Sequence, residues 1–75
     1  MSENDWCNLQ IGDRVNSARN IGCANMIVSE ICTDEKSLSK WREKGHKDVN
    51  RLIKFSVEGS GYHTWDVDHN KWTTI

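Results

Sequence analysis

Residues 51–67 read RLIKFSVEGSGYHTWDV and carry the clearest secondary-structure pattern of the chain. Apolar and polar side chains alternate over 51–57 and again over 62–67, which is the period-two pattern of strands with one buried face. The glycine-rich segment 58–61 between them is typical of a hairpin connection. We therefore predict a β-hairpin. The side chains expected to share a face of each strand are Ile53, Phe55 and Val57, and then His63, Trp65 and Val67.

Shorter strand patterns lie on both sides of this hairpin. The sequence IGDRV opens a first strand over 13–17 with a turn-forming Gly-Asp pair, and an irregular loop follows over 17–22. Residues 25–31 are rich in β-branched side chains and predict a second strand, in which Ile31 breaks the alternation as a bulge or strand end would. Residues 71–75 complete the predicted set of strands.

The segment between the second strand and the hairpin, residues 33–50, changes to residues that favour helix. Thr33 or Asp34 is placed to cap a short helix, and Gly45 is placed to end it. Leu38 and Trp41 lie three residues apart, and nearly all other positions of this helix are charged or serine, so it can bury only these two side chains against the strands. We therefore expect an insertion on the domain surface and not a core element.

The length of 75 residues allows a single domain, because so short a chain cannot support two domain cores.

The motifs IGDRV, MIVSEI and IKFSVEGSGYHTWDV, in this order, resemble bacterial small barrels such as KOW or Tudor-like modules and the YodC-like family. The resemblance implies that residues 1–75 form a mostly β, SH3-like five-stranded barrel with the helical insertion 33–50 between its second and third strands. It brings no set of functional residues with it.

The cellular location is inferred from features that the sequence lacks. No stretch is apolar enough to cross a bilayer, and the polar start MSENDWCN does not resemble a secretory signal. We expect a cytoplasmic protein with no membrane partner, of a size that suits a bacterial or phage product. Cys7, Cys23 and Cys32 show no paired spacing and are expected to be free thiols in that reducing compartment.

The net charge of −1 conceals three segments of different charge. Residues 1–35 carry −4, and residues 55–75 carry −2. Residues 36–54 carry seven basic and two acidic side chains, a net charge of +5. Such a separation can orient a charged partner, so the basic segment is the first choice for a contact surface.

The predicted contact surface combines this basic segment with aromatic residues. Its members are Lys36, Lys40, Trp41, Arg42, Lys44, Lys47 and Arg51, together with Tyr62 and Trp65 from the predicted hairpin. Two partner classes fit it: another protein with an acidic surface, which the nearly neutral chain favours, or RNA or single-stranded DNA. Alternatively, Trp41 packs inward with Leu38 and contacts no partner. The oligomeric state is left open.

Catalysis and metal binding are not indicated by any motif. No phosphate-binding loop, hydrolase motif or zinc-protease motif is present. The side chains that are candidates for zinc lack the usual ligand spacing; they are Cys23, Cys32, His46, His63 and His69. We expect a protein without cofactor, metal or catalytic residues, and an enzyme with a cysteine nucleophile is the weaker alternative.

Overall fold

The computed structural model describes residues 1–19 and 25–75. Within these residues five strands form one antiparallel sheet, accompanied by two α-helices and one short 3-10 helix. The elements in chain order are α1 (Glu3–Asn8), β1 (Arg14–Ser17), β2 (Asn25–Cys32), α2 (Glu35–Glu43), β3 (Leu52–Val57), β4 (His63–Asp66), the 3-10 helix (His69–Lys71) and β5 (Trp72–Thr74). Across the sheet the strands follow the order β4-β3-β2-β1-β5.

The predicted mostly β chain with a helix between the second and third strands is confirmed. Each predicted strand is present in the described residues, and its bounds differ from the prediction by no more than one residue at either end. Part of the loop predicted over 17–22, and Cys23, lie outside the described residues.

The hairpin predicted over 51–67 is formed by β3 and β4. The amide of Val57 donates a hydrogen bond to the carbonyl of Tyr62 at 3.0 Å, where the two strands meet the turn. Gly59 and Gly61 have φ angles of 81° and 74°. Glycine adopts this region at little steric cost, which explains why the connection is glycine-rich.

Strand β2 contains the irregularity that its sequence predicts. Its register with β3 shifts between Val28 and Glu30, so Ser29 is the extra residue of a bulge. The Ser29 hydroxyl donates to the carbonyl of Lys54 at 3.2 Å. Because the bulge changes the alternation, Val28 and Ile31 both pack in the same hydrophobic cluster. The break in alternation at Ile31 is therefore the result of a bulge two residues earlier.

Helix α1 forms in a segment for which no element is predicted. The hydroxyl of Ser2 accepts a hydrogen bond from the amide of Asp5 at 3.1 Å, and Glu3 adds a second acidic residue to the first turn. Trp6 is only 2% exposed. A helix of six residues is marginal by itself in water, so the burial of Trp6 stabilises an element that the local sequence does not specify.

One face of the sheet is covered by the inner cluster, a group of buried hydrophobic side chains. Its members are Trp6, Leu9, Val15, Met26, Val28, Ile53, Phe55 and Trp72. The rings of Phe55 and Trp72 are stacked with their centroids 4.2 Å apart, and the centroids of Trp6 and Phe55 are 5.9 Å apart. Phe55 therefore lies between two indoles, one from α1 and one from β5.

Helix α2 begins and ends where its sequence predicts. Asp34, one of the two predicted caps, accepts a hydrogen bond from the amide of Ser37 at 3.1 Å. Gly45 follows the helix with a φ of 112°, the left-handed conformation that commonly ends helices. In the described parts of the chain, neither α1 nor α2 has the length and apolar character needed to span a bilayer.

The opposite face of the sheet carries the outer cluster. It consists of Leu38, Val49, Leu52 and Val67, with Cys32, Trp41 and Trp65 packed at its edge. Leu38 of α2 is 1% exposed, so the expectation that the insertion is not a core element is wrong. A single leucine is enough because Leu52 and Val67 supply apolar surface from the sheet side.

Candidate functional site

A groove of about 360 Å³ lies between α2 and the outer face of the sheet. Its lining residues come from α2 and from three neighbouring strands, and they are Ser37, Lys40 and Trp41, followed by Cys32, Leu52 and Trp65. We call it the indole groove, because Trp41 and Trp65 are half-buried and line it while also packing against the outer cluster. Of the predicted contact residues, the groove brings together Lys40, Trp41 and Trp65.

The helical wall of the indole groove continues as a stripe along α2. Ser37, Lys40, Trp41 and Lys44 are spaced i, i+3, i+4 and i+7, which places them on one side of the helix. The stripe contains two lysines and no carboxylate. The side of α2 that borders the groove is therefore positively charged.

Each indole of the groove has a lysine ammonium beside its ring. The Nζ atom of Lys44 is 5.0 Å from the centre of the Trp41 ring, and the Nζ atom of Lys54 is 5.8 Å from the centre of the Trp65 ring. Both distances lie within the range of cation–π attraction, about 6 Å. Lys54 also lies 3.5 Å from Oε1 of Glu30. Positive charge therefore borders the apolar surface on both the helix side and the sheet side.

Arg42, a predicted contact residue, is used inside the protein. Its Nε and Nη2 atoms donate to the carbonyl of Val49 at 3.2 and 3.0 Å, and its Nη1 atom donates to Oε2 of Glu35 at 2.6 Å. The hydrogen bond between these two side chains raises the pKa of Arg42 and lowers the pKa of Glu35. Arg42 thus holds the segment that follows α2 against the helix.

Arg51 is also occupied by internal hydrogen bonds. Its Nη1 atom donates to the carbonyl of Trp6 at 2.8 Å, and its Nη2 atom donates to the carbonyl of Leu9 at 3.0 Å. These carbonyls lie at the C-terminal end of α1, where helical backbone acceptors have no partner within the helix. Arg51 therefore joins α1 to the beginning of β3, away from the groove.

The other predicted contact residues lie outside the groove lining. Lys36 is exposed on α2, and Tyr62 is 60% exposed before β4. Lys47 lines a second cleft of about 580 Å³, between the start of α1, the segment after α2 and the end of β4. That cleft also contains Glu3 and Asp68. Asp48 adds a third carboxylate, so the lining of the second cleft carries more negative than positive charge and does not match an acidic partner.

The histidines and cysteines in the described residues form no metal centre. Within that part of the chain, no group of three His, Cys, Asp or Glu side chains is close enough to hold a metal ion. Cys7 is an exposed free thiol, and Cys32 is a half-buried free thiol in the wall of the indole groove. A ligand in the groove would therefore cover Cys32 and leave Cys7 exposed.

Comparisons of the chain with protein-family models, with curated proteins and with solved structures find no match. The candidate site is therefore defined by its own geometry.

Ser37, Cys32 and Leu52 belong to the site but are not predicted as contact residues. The helical spacing of Ser37 with Trp41 is a signal that identifies it. Cys32 and Leu52 have no such signal, because they lie on different strands and meet only through the pairing of β2 with β3.

Proposed function

We propose that this chain is a small protein-interaction module, an adaptor or inhibitor, that docks on a partner with an acidic surface through α2 and the adjacent face of the sheet. The observation that carries the proposal is the indole groove, an apolar surface between Trp41 and Trp65 with lysines on both sides. Tryptophan is enriched among the residues that contribute most to protein interfaces. The surrounding positive charge favours a negatively charged partner.

We also propose that the sheet closes as an SH3-like barrel. Strand β5 returns to pair with β1, with Thr74 opposite Val15. The Nε1 atom of Trp72 donates to Oδ2 of Asp66 at 3.0 Å, which joins the beginning of β5 to the end of β4, the two edge strands. Closure would protect these edges from pairing with other chains and leave the outer face as the binding surface.

RNA or single-stranded DNA is the second candidate partner. Lysines beside an exposed indole are the groups that contact phosphates and stack on bases in single-stranded nucleic acids. Two observations favour protein over nucleic acid. The guanidinium groups of Arg42 and Arg51 donate to backbone carbonyls, and the whole chain carries a net charge of −1. The first observation removes two guanidinium groups from the set that could contact phosphates, and the second weakens the overall attraction to a polyanion.

The experiment compares two double variants with the same change of charge. The chain is immobilised through its exposed C-terminal residue, Ile75, and incubated with a lysate treated with nuclease. The groove variant is Lys40→Glu with Lys44→Glu, the two lysines of the stripe that contains Trp41. The control is Lys36→Glu with Lys47→Glu, which lie outside both that stripe and the groove lining. We expect the wild type and the control to retain one protein stoichiometrically. The groove variant should retain about tenfold less of it.

Two results would overturn the proposal. Equal loss of the captured protein in both double variants would mean that charge, and not the groove, determines binding. Capture from an untreated lysate but not from the nuclease-treated one, with a gel shift that weakens steeply as salt rises, would identify nucleic acid as the partner.

A further inference from the structure

We propose that the occupant of the indole groove is a linear acidic segment that inserts one large apolar side chain between Trp41 and Trp65. This inference rests on the proposed function, because it identifies the part of the partner that enters the same site. The size of the groove, the chemistry of its walls and the position of the charges around it support this occupant.

The size of the groove selects a side chain and not a folded surface. Its volume of about 360 Å³ is near the lower limit of ligand pockets, roughly 300 Å³. A concave site of this size receives a protruding group. A segment in extended or helical conformation presents such a group, whereas the flat face of a folded domain would span the groove without filling it.

The walls of the groove select an apolar group. Trp41, Trp65 and Leu52 provide two aromatic rings and one aliphatic side chain, and the thiol of Cys32 adds a small, weakly polar surface. The two indoles are half-buried, so each keeps part of its surface in water. Insertion of a leucine-sized or aromatic side chain removes this surface from water, which is the main source of affinity at such sites.

The charges around the groove favour carboxylates beside the apolar group, most strongly on the side of Lys40 and Lys44. Lys40 and Lys44 lie on the helix side, and Lys54 lies on the sheet side beside Trp65. A segment that crosses the groove would pass these ammonium groups before and after its apolar side chain. Glu30 already neutralises part of the charge of Lys54, so the stripe on α2 supplies the stronger attraction.

The test uses three synthetic peptides of nine residues, each labelled with a fluorescent dye. The first has a central leucine flanked by glutamates, the second replaces the leucine by alanine, and the third replaces the glutamates by lysines. Fluorescence anisotropy measures binding to the full chain. We expect the acidic leucine peptide to bind at least about tenfold more tightly than the alanine peptide, the factor for losing one large buried side chain. The basic peptide should not bind.

Alkylation of thiols provides a second measurement that reports the position of the peptide. Iodoacetamide modifies Cys7 and Cys32, and mass spectrometry follows each rate separately. The acidic leucine peptide should slow the modification of Cys32 at least about fivefold and leave the rate at Cys7 unchanged, because of these two thiols it is Cys32 that lines the groove. Equal rates at Cys32 with and without bound peptide would overturn the inference.

Single charge variants form the matched pair for the peptide experiment. Lys40→Glu and Lys36→Glu make the same change on α2, but only Lys40 lines the groove. We expect Lys40→Glu to weaken the acidic leucine peptide about tenfold and Lys36→Glu to weaken it less than about threefold. Circular dichroism verifies that both variants are folded. Equal weakening by the two variants would contradict binding in the groove.

The results distinguish this inference from the proposed function. If no peptide binds but the captured protein is lost from the groove variant, the module binds a folded acidic surface and the linear-segment inference is wrong. If leucine and alanine peptides bind equally, the apolar anchor is wrong while docking of an acidic partner stands. Displacement of the peptide by single-stranded DNA, or by a second copy of this chain at higher protein concentration, would reassign the occupant.

Discussion

The inner and outer clusters lie on opposite faces of the same sheet, yet they differ in how completely their aromatic residues are covered. Trp6 and Trp72 in the inner cluster are 2% and 6% exposed and contact Phe55. Trp41 and Trp65 are half-buried at the edge of the outer cluster. The four tryptophans of the chain are therefore divided equally between the two faces. One face of the sheet therefore buries its two indoles almost completely, while the other leaves part of each indole in water.

The difference follows from what covers each face. Both α1 and the pairing of β5 with β1 bring large aromatic residues over the inner cluster. The outer cluster is covered by α2, whose one buried residue is Leu38. Because α2 buries only Leu38 fully and places Trp41 at the edge of the cluster, Trp41 and Trp65 both stay half-buried, and the groove remains between them.

The largest effect is expected from the centre of the inner cluster. Phe55→Ala removes the ring that lies between Trp6 and Trp72, and we expect it to lower the free energy of unfolding by about 3–5 kcal/mol. Urea denaturation followed by circular dichroism measures the change. Phe55→Leu, which keeps most of the apolar volume, should remain folded and rank between the wild type and Phe55→Ala. A small effect of Phe55→Ala would remove the proposed contrast between the faces.

A smaller loss is expected in the outer cluster. Leu38→Ala should lower the free energy of unfolding by about 2 kcal/mol, at the lower end for buried leucines, because an incompletely covered cluster can relax into the space. The same urea experiment applies, with Ser39→Ala on the exposed side of α2 as its control. If Leu38→Ala is as costly as Phe55→Ala, the two clusters are equally well packed and the comparison fails.

The groove tryptophans should contribute little to stability but most of the accessible fluorescence. Iodide is an anion, so it should quench Trp41 and Trp65, which lie beside lysines, and spare the two inner tryptophans. Trp41→Phe should change the free energy of unfolding by less than about 1.5 kcal/mol and remove a quenchable component. An unchanged quenching curve in this variant would show that Trp41 is shielded in solution.

The smallest effect concerns the pair of Glu35 and Arg42 at the edge of the outer cluster. The hydrogen bond from Arg42 lowers the pKa of Glu35 in the folded chain, so the stabilisation is present above the ordinary glutamate pKa of about 4.5 and is lost as pH falls through the lower folded value. Both stability curves, of the wild type and of Glu35→Gln, should converge in acid. The difference near neutral pH should be small because Glu35 is exposed. If the difference in free energy of unfolding between the wild type and Glu35→Gln grew as pH fell, the predicted direction of the pKa shift would be wrong.

Local patterns were sufficient for the elements whose signals lie close together in the sequence. The alternation of residues 51–57, the glycines at 58–61 and the cap at Asp34 each act within a few residues, and each has its predicted result in the structure. Helix α1 has a local signal only at its start, where Ser2 caps the amide of Asp5. Its six residues are stabilised by Trp6 in the inner cluster and by Arg51, which is 45 residues away in the chain from Trp6.

The sequence predicted part of the candidate site, because the part that depends on residue type can be seen locally and the part that depends on distant contacts cannot. A net charge of +5 over 36–54 identified the basic segment, but it did not distinguish lysines at the groove from arginines that bind backbone carbonyls. Charge is a property of the residue type. Whether an arginine faces a partner or a carbonyl depends on which backbone acceptors the fold leaves unpaired nearby.

By itself, the sequence determined the strands, their hairpin, the bounds of α2 and the basic character of the segment around it, because each depends on period, turn chemistry or residue type. Only the tertiary structure decided that Val49, Leu52 and Val67 join Leu38 in a second core, and that Trp41 and Trp65 meet across a groove. These outcomes depend on contacts between residues far apart in the chain. The pairing of β2 with β3 and of β3 with β4 brings Cys32, Leu52 and Trp65 together, and no short stretch of sequence contains that information.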